Sequence, residues 1–182
     1  MKSSIHNHQV RLRAMEPEDL EFLYGIENDM ELWDIGITNV PYSRYSLYNY
    51  ISECKNDIYV DRQLRLIVTS EEGDCVGIAD LVNFDPKHLR AELGIVIQKK
   101  YRGQGYGKAA VKALLRYAHE VIHLHQVYVV VGVANQLSIS LFTKLGFVDS
   151  GILKDWLYSD DDWHAAKLLQ FFYKKGTNCL AI

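Results

Sequence analysis

Two hydrophobic periods alternate along the chain. Gln9 to Ala14 (QVRLRA) places apolar residues at every second position and predicts a first strand. Glu16-Pro17-Glu18-Asp19 then opens a helix, with proline early and acids where the helix dipole favours them. Leu20, Leu23, Tyr24 and Glu27 continue it. Asn28 to Pro41 follows no period and is broken by Trp33, Gly36 and Pro41. Ser43 predicts the N-cap of a second helix running to about Cys54, with Leu47, Tyr50 and Ile51 at its apolar positions. Strands are predicted at Leu64 to Thr69 and Cys75 to Asn83, joined by Ser-Glu-Glu-Gly-Asp, a hairpin composition. Asp85-Pro86-Lys87-His88 is the next turn. Arg90 to Gln98 is the third of these successive antiparallel strands.

The helical period returns after Lys108, with Ala110, Val111, Leu114, Ala118 and Val121 on one face. Gln126 to Val133 (QVYVVVGV) is nearly continuous apolar, as expected of a strand buried on both faces. A short helix from Leu137 to Lys144 stops at Gly146, a C-cap signal. Phe147 to Tyr158 and Trp163 to Tyr173 form a last hairpin around Ser159-Asp160-Asp161-Asp162. The order β α α β β β α β α β β predicts an α/β mixture with a largely antiparallel sheet of six to seven strands.

Composition narrows the class. At 182 residues, one domain over residues 1–182 buries about 70% of its unfolded surface without a staple. A net charge of −3 argues against nonspecific nucleic-acid binding. No run approaches the roughly 20 apolar residues of a membrane span, and MKSSIHNHQV lacks a signal core. Cys54, Cys75 and Cys179 are odd in number and far apart, which points to reduced thiols and a cytoplasmic location.

Between the Ala91–Gln98 run (AELGIVIQ) and the following helix lies KKYRGQGYGK, a basic turn with Gly103, Gly105 and Gly107. Glycines let backbone N–H groups turn toward a bound group, and a helix start adds free donors and positive potential. That is an anion site. A Rossmann fingerprint counted from Gly103 needs glycine where Lys108 stands. A Walker A loop needs glycine at Arg102 and serine or threonine at Ala109. Neither fits. What fits is R-x-x-G-x-G, Arg102 to Gly107. With the AELGIVI strand, Asn135-x-x-Ser138 and Lys144-Leu145-Gly146-Phe147, it resembles the GNAT superfamily of N-acetyltransferases over about residues 9 to 174.

The resemblance implies a GNAT sheet and acetyl-CoA as cosubstrate, without a metal. Arg102, Gly103, Gln104, Gly105, Tyr106, Gly107 and Lys108 would bind its pyrophosphate. Ile95, Val96 and Ile97 would meet its pantetheine arm through their backbone, as an added strand would, in a gap where this strand splays from Gln126–Val133. Asn135 would contact the same arm. Its residue-level alternative is an N-cap alone.

The transferred group needs acid–base help. Many family members carry a tyrosine proton donor at the position of Phe142, and phenylalanine donates no proton. Phe142 then packs near the thioester. Ser138 is the first substitute, by resemblance to ribosomal-protein acetyltransferases, and Tyr158 a second; a dedicated acid need not exist. For the base, an amine of pKa near 10.4 is only about one part in 2,500 neutral at pH 7. Glu92, on the strand leading to the acetyl site, can take its proton directly or through water. The alternative is a structural carboxylate paired with Arg90 or a neighbouring strand.

His119-Glu120-Val121-Ile122-His123 matches H-E-x-x-H. Zinc binding needs both imidazoles on one helix face and a third ligand. The motif sits where the helix ends, and Gln126 occupies the glycine position of the extended form, so a pair of surface histidines is expected instead.

The opening VRLRAMEPEDLEFLYGIEN, the AELGIVI strand and the Gly146–Gly151 segment most resemble spermidine and ribosomal-protein-alanine acetyltransferases. The acceptor is then a primary amine of a small molecule, a polyamine or a protein N-terminus. Its pocket would draw on Asn28–Arg44 and Asp160–Trp163, with Glu27, Asp29, Glu31, Asp34 and three aspartates favouring a cation. The spermidine enzymes have an acidic pair before the proline matching Pro41, where Asn39-Val40 stand here. The rival is a catalytically silent acetyl-CoA-binding regulatory module. A homo-oligomer is a further expectation, with tyrosines 42, 45, 48 and 50 facing a partner, a pocket or the core.

Overall fold

The structure is a computed structural model that describes residues 9–35 and 40–173. Gly36, Asn39, Cys179, the first eight residues and the side chains of Trp33 and Asp34 lie outside the described ones.

Strand β1 (Arg11–Arg13) is shorter than its alternating pattern. A 3-10 turn over Pro17–Asp19 leads into helix α1 (Leu20–Glu27), and another over Met30–Ile35 fills the aperiodic stretch. Helix α2 (Arg44–Glu53) starts at Ser43, whose hydroxyl accepts the Ser46 N–H at 3.0 Å. A one-turn helix α3 (Ile58–Asp61) has no sequence period because it is too short to show one. Asp57 caps it, and Arg62 ends it in the left-handed region.

Strands β2 (Leu64–Thr69), β3 (Cys75–Asp85) and β4 (Arg90–Ile97) form the antiparallel meander. Helix α4 (Tyr106–Glu120), strand β5 (Gln126–Gly132), helix α5 (Gln136–Lys144) and the hairpin β6 (Val148–Ser159) and β7 (Asp162–Phe172) complete the order. The seven strands make one sheet, β1-β2-β3-β4-β5-β7-β6, in which β4–β5 is the parallel pair among the described residues.

Helix α4 buries Ala110, Val111, Leu114, Leu115 and Ala118 against one sheet face. Val121 departs from the expected face: it lies past the helix end, 57% exposed, and Ile122 takes the buried place. Helices α1 and α2 cover the other face with Leu23, Ile26, Leu47 and Ile51 over Ile67 and Ile78. Strand β5 is not buried on both faces as its apolar run predicts. Val127, Val129 and Val131 are buried, while Tyr128 and Val130 are half-buried, because no helix layer closes fully over that side. Helix α5 ends in a Schellman arrangement: Phe147 N–H donates to Phe142 and Gly146 N–H to Thr143, with Gly146 at φ 94°. Asp160 and Asp161, at φ 52° and 58°, are the two turn residues of the β6–β7 hairpin rather than a free acidic cluster.

Asp19 locks β1 to the start of α1. It is 5% exposed, accepts two bonds from the Arg13 guanidinium at 2.6 and 2.7 Å, and accepts the Glu16 N–H at 2.8 Å. Burial pushes its carboxyl pKa up, but Arg13 and the Glu16 N–H outweigh burial and leave it below the ordinary value. A lowered folded-state pKa stabilises above the unfolded pKa, and the gain is lost as pH falls through the folded one. Asp19→Asn should therefore cost about 2 kcal/mol at neutral pH. The gap in urea midpoint to the wild type should shrink below about pH 4. A gap equal at pH 7 and pH 3 would contradict this assignment.

Candidate active site

Two features meet at the C-terminal end of β4: a glycine turn and a gap in the sheet. After Ile97, a 3-10 turn over Lys99–Tyr101 delivers Arg102, whose Nε donates back to the Ile97 carbonyl at 2.9 Å. Gly103 and Gly105 lie at φ 75° and 98°, conformations that L side chains resist. Gly105 is the N-cap of α4 and brings no side chain to close it. The first N–H groups of a helix have no intrahelical acceptor, so this end presents donors and positive potential to an anion. The Gln104 side chain turns back to the Lys100 carbonyl at 2.7 Å, and the Tyr106 ring is buried edge-on to Tyr101. Both residues thus offer backbone rather than side chain. Gly107 packs under Ile97 and Leu141, joining α4 to β4 and α5.

The gap follows from the pairing. β4 and β5 pair over three residues, Arg90, Ala91 and Glu92 with Gln126, Val127 and Tyr128. Beyond them β4 stays on β3 as far as Ile97, and β5 stays on β7 through Gly132. Each strand keeps its outer partner and loses its inner one. The edge of β4 at Ile95, Val96 and Ile97 is left for an extended ligand to pair with. This end of β4 also presses on β3, where a Cβ at Gly77 would collide with the Val96 carbonyl.

Helix α5 starts at the far lip of the gap. The Asn135 side chain accepts the Ser138 N–H at 3.1 Å, so its oxygen serves as the N-cap and its amide N–H groups remain for a ligand. Ser138 is half-buried in the first turn. Phe142, one turn on, is 4% exposed and set edge-on to Phe147, which makes it core. Tyr158 sits at the hairpin tip, 59% exposed, its hydroxyl 3.2 Å from Asp161.

Glu92 does not pair with Arg90, which binds Asp85 instead at 3.2 Å. It accepts the Asn83 amide at 2.8 Å and stands opposite Tyr128 at the last paired rung. Burial first, then the Glu92 charge, hold the Tyr128 phenol above its ordinary pKa. On the same sheet face Arg65 joins Asp80 through two bonds, at 3.0 and 2.9 Å, and Glu27 at 2.5 Å. Tyr50 lies beneath, its phenol pushed up to about 12 mainly by burial. Gly94, the first residue of that face past the pairing, brings no side chain of its own against Asp80, which a Cβ there would touch. Arg65, Asp80, Asn83 and Tyr128 were not singled out in the sequence. Only Tyr128 carries a local signal, as the one hydroxyl within an apolar strand.

Of the predicted acceptor-loop acids, Glu27 turns inward to Arg65, and Asp29 caps the Glu31 N–H. Glu31 binds Lys99 at 2.8 Å beside the glycine turn. The H-E-x-x-H histidines do not converge: His119 stacks on Tyr173, and His123 lies beyond the helix at φ 61°. Among the described residues no three His, Cys, Asp or Glu side chains group to hold a metal.

A mostly antiparallel sheet whose parallel pair opens toward a glycine-turned helix start defines the class, an N-acetyltransferase drawing on acetyl-CoA. Residues 9–148 match the family described as acetyltransferase (GNAT) domain, and the chain belongs to that family. It is similar to spermidine N(1)-acetyltransferase of Escherichia coli K12, 30% identical over 149 residues that cover 80% of this chain and 76% of that one. It is also similar to the ribosomal protein uS5-alanine N-acetyltransferase of the same organism, 31% identical over 94 residues, 51% of this chain and 48% of the relative. The fold is similar to that of a spermidine N-acetyltransferase from Vibrio cholerae solved with CoA and spermine. There the TM-score is 0.80 at 24% identity, over 90% of this chain and 95% of that chain. The protein is an enzyme that moves an acetyl group from acetyl-CoA to a primary amine.

Proposed function

We propose that the acceptor is a polyamine or a comparably cationic primary amine. The observation that carries this is charge on the acceptor-side face of the sheet. Glu27, Asp80 and Glu92 are three half-buried carboxylates, and one guanidinium, Arg65, is shared between the first two. A half-buried excess of negative charge favours a cation more than a solvated surface would. The names of the relatives point the same way.

When bound, acetyl-CoA supplies the activated acyl thioester. For its pyrophosphate the chain offers Arg102 and Lys108 as charges, with backbone N–H groups from Gly103 to Lys108 around them. Ile95, Val96 and Ile97 lend backbone groups to the pantetheine arm, with Asn135 and Ser138 at the opposite lip and Phe142 as the wall behind. A backbone N–H of the β4 edge facing the carbonyl oxygen would contribute about 3 kcal/mol as negative charge develops there. Glu92 receives the amine proton. Residues 1–182 act as one domain, since both cores share one sheet.

Cys54 and Cys75 are free thiols, which supports a cytoplasmic location. No helix among the described residues is long and apolar enough to cross a membrane. A second copy of this chain is the further partner expected, because the edge strand β6 and its hairpin expose Ile152, Trp156, Tyr158 and Trp163.

The test is coenzyme A release from acetyl-CoA with polyamines, aminoglycosides, amino acids and N-terminal peptides. Polyamines should give the highest kcat/KM. Turnover confined to peptides would reassign the acceptor to a protein N-terminus. Acetyl-CoA binding with no turnover on any amine would make the chain a regulatory module.

A further inference from the structure

With Phe142 in the core and Tyr158 at a hairpin tip, neither residue places a hydroxyl where the strands part. The apex of the gap has its own. Strand β3 carries a bulge between Val82 and Asp85, and Asn83 within it adopts φ 51°. A non-glycine residue in that region is uncommon, and bulges often serve to re-aim a side chain. Here the bulge delivers the Asn83 amide to the last β4–β5 rung. It donates to Glu92 Oε2 at 2.8 Å and lies close enough to the Tyr128 phenol to act on its ionisation. Glu92 and Tyr128 are register partners on one face, so a carboxylate held by an asparagine stands beside a phenol at the point of divergence. Beyond Tyr128 the row continues with uncharged groups, Gln170 bonded to Gln126 at 2.7 Å. The charges acting on the phenol are Glu92 and Arg90, both from β4.

We propose that Tyr128 donates the proton to the leaving thiolate, and that Asn83 is the positioning residue holding Tyr128 and Glu92 in register. The proposal rests on the acetyl-transfer reading above, with Glu92 as base. The amine lone pair forms the C–N bond to the acetyl carbon, and the C–S bond breaks. The amine proton passes to the open Oε1 of Glu92, and the Tyr128 phenol gives its proton to sulfur. Glu92 then returns its proton to the phenolate. The net result moves one proton from amine to thiol and restores both residues. The phenol is present as a donor at neutral pH because burial and the Glu92 charge both oppose its ionisation.

The full chain is assayed for coenzyme A release with its best amine, alongside acetyl-CoA affinity by calorimetry and thermal midpoint. Tyr128→Phe should lower kcat about 100-fold. Its acetyl-CoA affinity and midpoint should stay near wild type, and the alkaline limb of the kcat profile should disappear. Asn83→Gly keeps the positive φ at no steric cost and removes only the amide. It should lower kcat about 10-fold, displace that limb and leave KM nearly unchanged. An active wild type with Tyr128→Phe within threefold of it, or a larger loss in Ser138→Ala, would overturn the proposal alone. An Asn83→Gly variant that loses thermal stability with an unmoved pH profile would reduce Asn83 to a structural residue. A wild type that binds acetyl-CoA but turns over no amine would overturn this proposal and the acetyl-transfer reading together.

Discussion

Gly105→Val should raise the dissociation constant for acetyl-CoA at least about 100-fold, a loss of about 2.7 kcal/mol, in a protein that still folds. Gly105 is the N-cap of α4 at φ 98°, where a β-branched residue is strongly disfavoured. Valine leaves two outcomes for the turn. Either the backbone keeps its shape under strain with an isopropyl group in the anion site, or it relaxes and swings its N–H groups away. Both would remove the pyrophosphate contacts proposed for the turn. The local strain of about 1–3 kcal/mol is a fraction of a typical domain stability of about 5–15 kcal/mol. Circular dichroism should therefore stay native while calorimetry with acetyl-CoA goes flat. Unchanged affinity would place the pyrophosphate elsewhere.

Arg65→Met should destabilise the fold by about 3–5 kcal/mol at pH 7, the cost of removing one partner from a largely buried ion group. The side chains of Arg65, Glu27 and Asp80 are 24%, 14% and 16% exposed, and the Arg65 guanidinium bridges the two carboxylates. Methionine fills much of the arginine stem but leaves two carboxylates facing each other in a poorly solvated place. Arg65→Lys, which keeps a charge on a stem of similar length, should recover part of the loss. Urea unfolding of both variants at pH 7 checks it. Equal deficits in the two would mean that Arg65 acts through its packed stem rather than its charge.

The two sites were not equally legible. The glycine turn is local: Arg102 to Gly107 are contiguous, and their geometry needs only glycine's freedom and the helix that follows. The caps at Ser43, Asn135 and Gly146 are legible for the same reason, since each is closed by atoms three to five residues away. The Arg65–Asp80–Glu27 group joins residues 15 and 38 positions apart, and no period marks them. The departures are instructive too. Val121 keeps the helical spacing but falls past the end of α4, because spacing alone does not say where a helix stops. Strand β5 looked doubly buried because Val130 is as apolar as its neighbours; its alternating burial comes from the incomplete helix layer over one face.

The sequence by itself determined the order of the strands and longer helices, the glycine turn and the family. These rest on periodicity and on a contiguous motif whose chemistry is carried by the backbone. Only the tertiary structure decided which side chains share the gap. Sheet register brought Glu92 and Tyr128 to one rung beside the Asn83 bulge and left Tyr158 at a hairpin tip, while the packing of α5 on Phe147 put Phe142 in the core. Register is set by pairings between strands far apart in the chain, and a shift of one residue would turn Glu92 or Tyr128 to the opposite face.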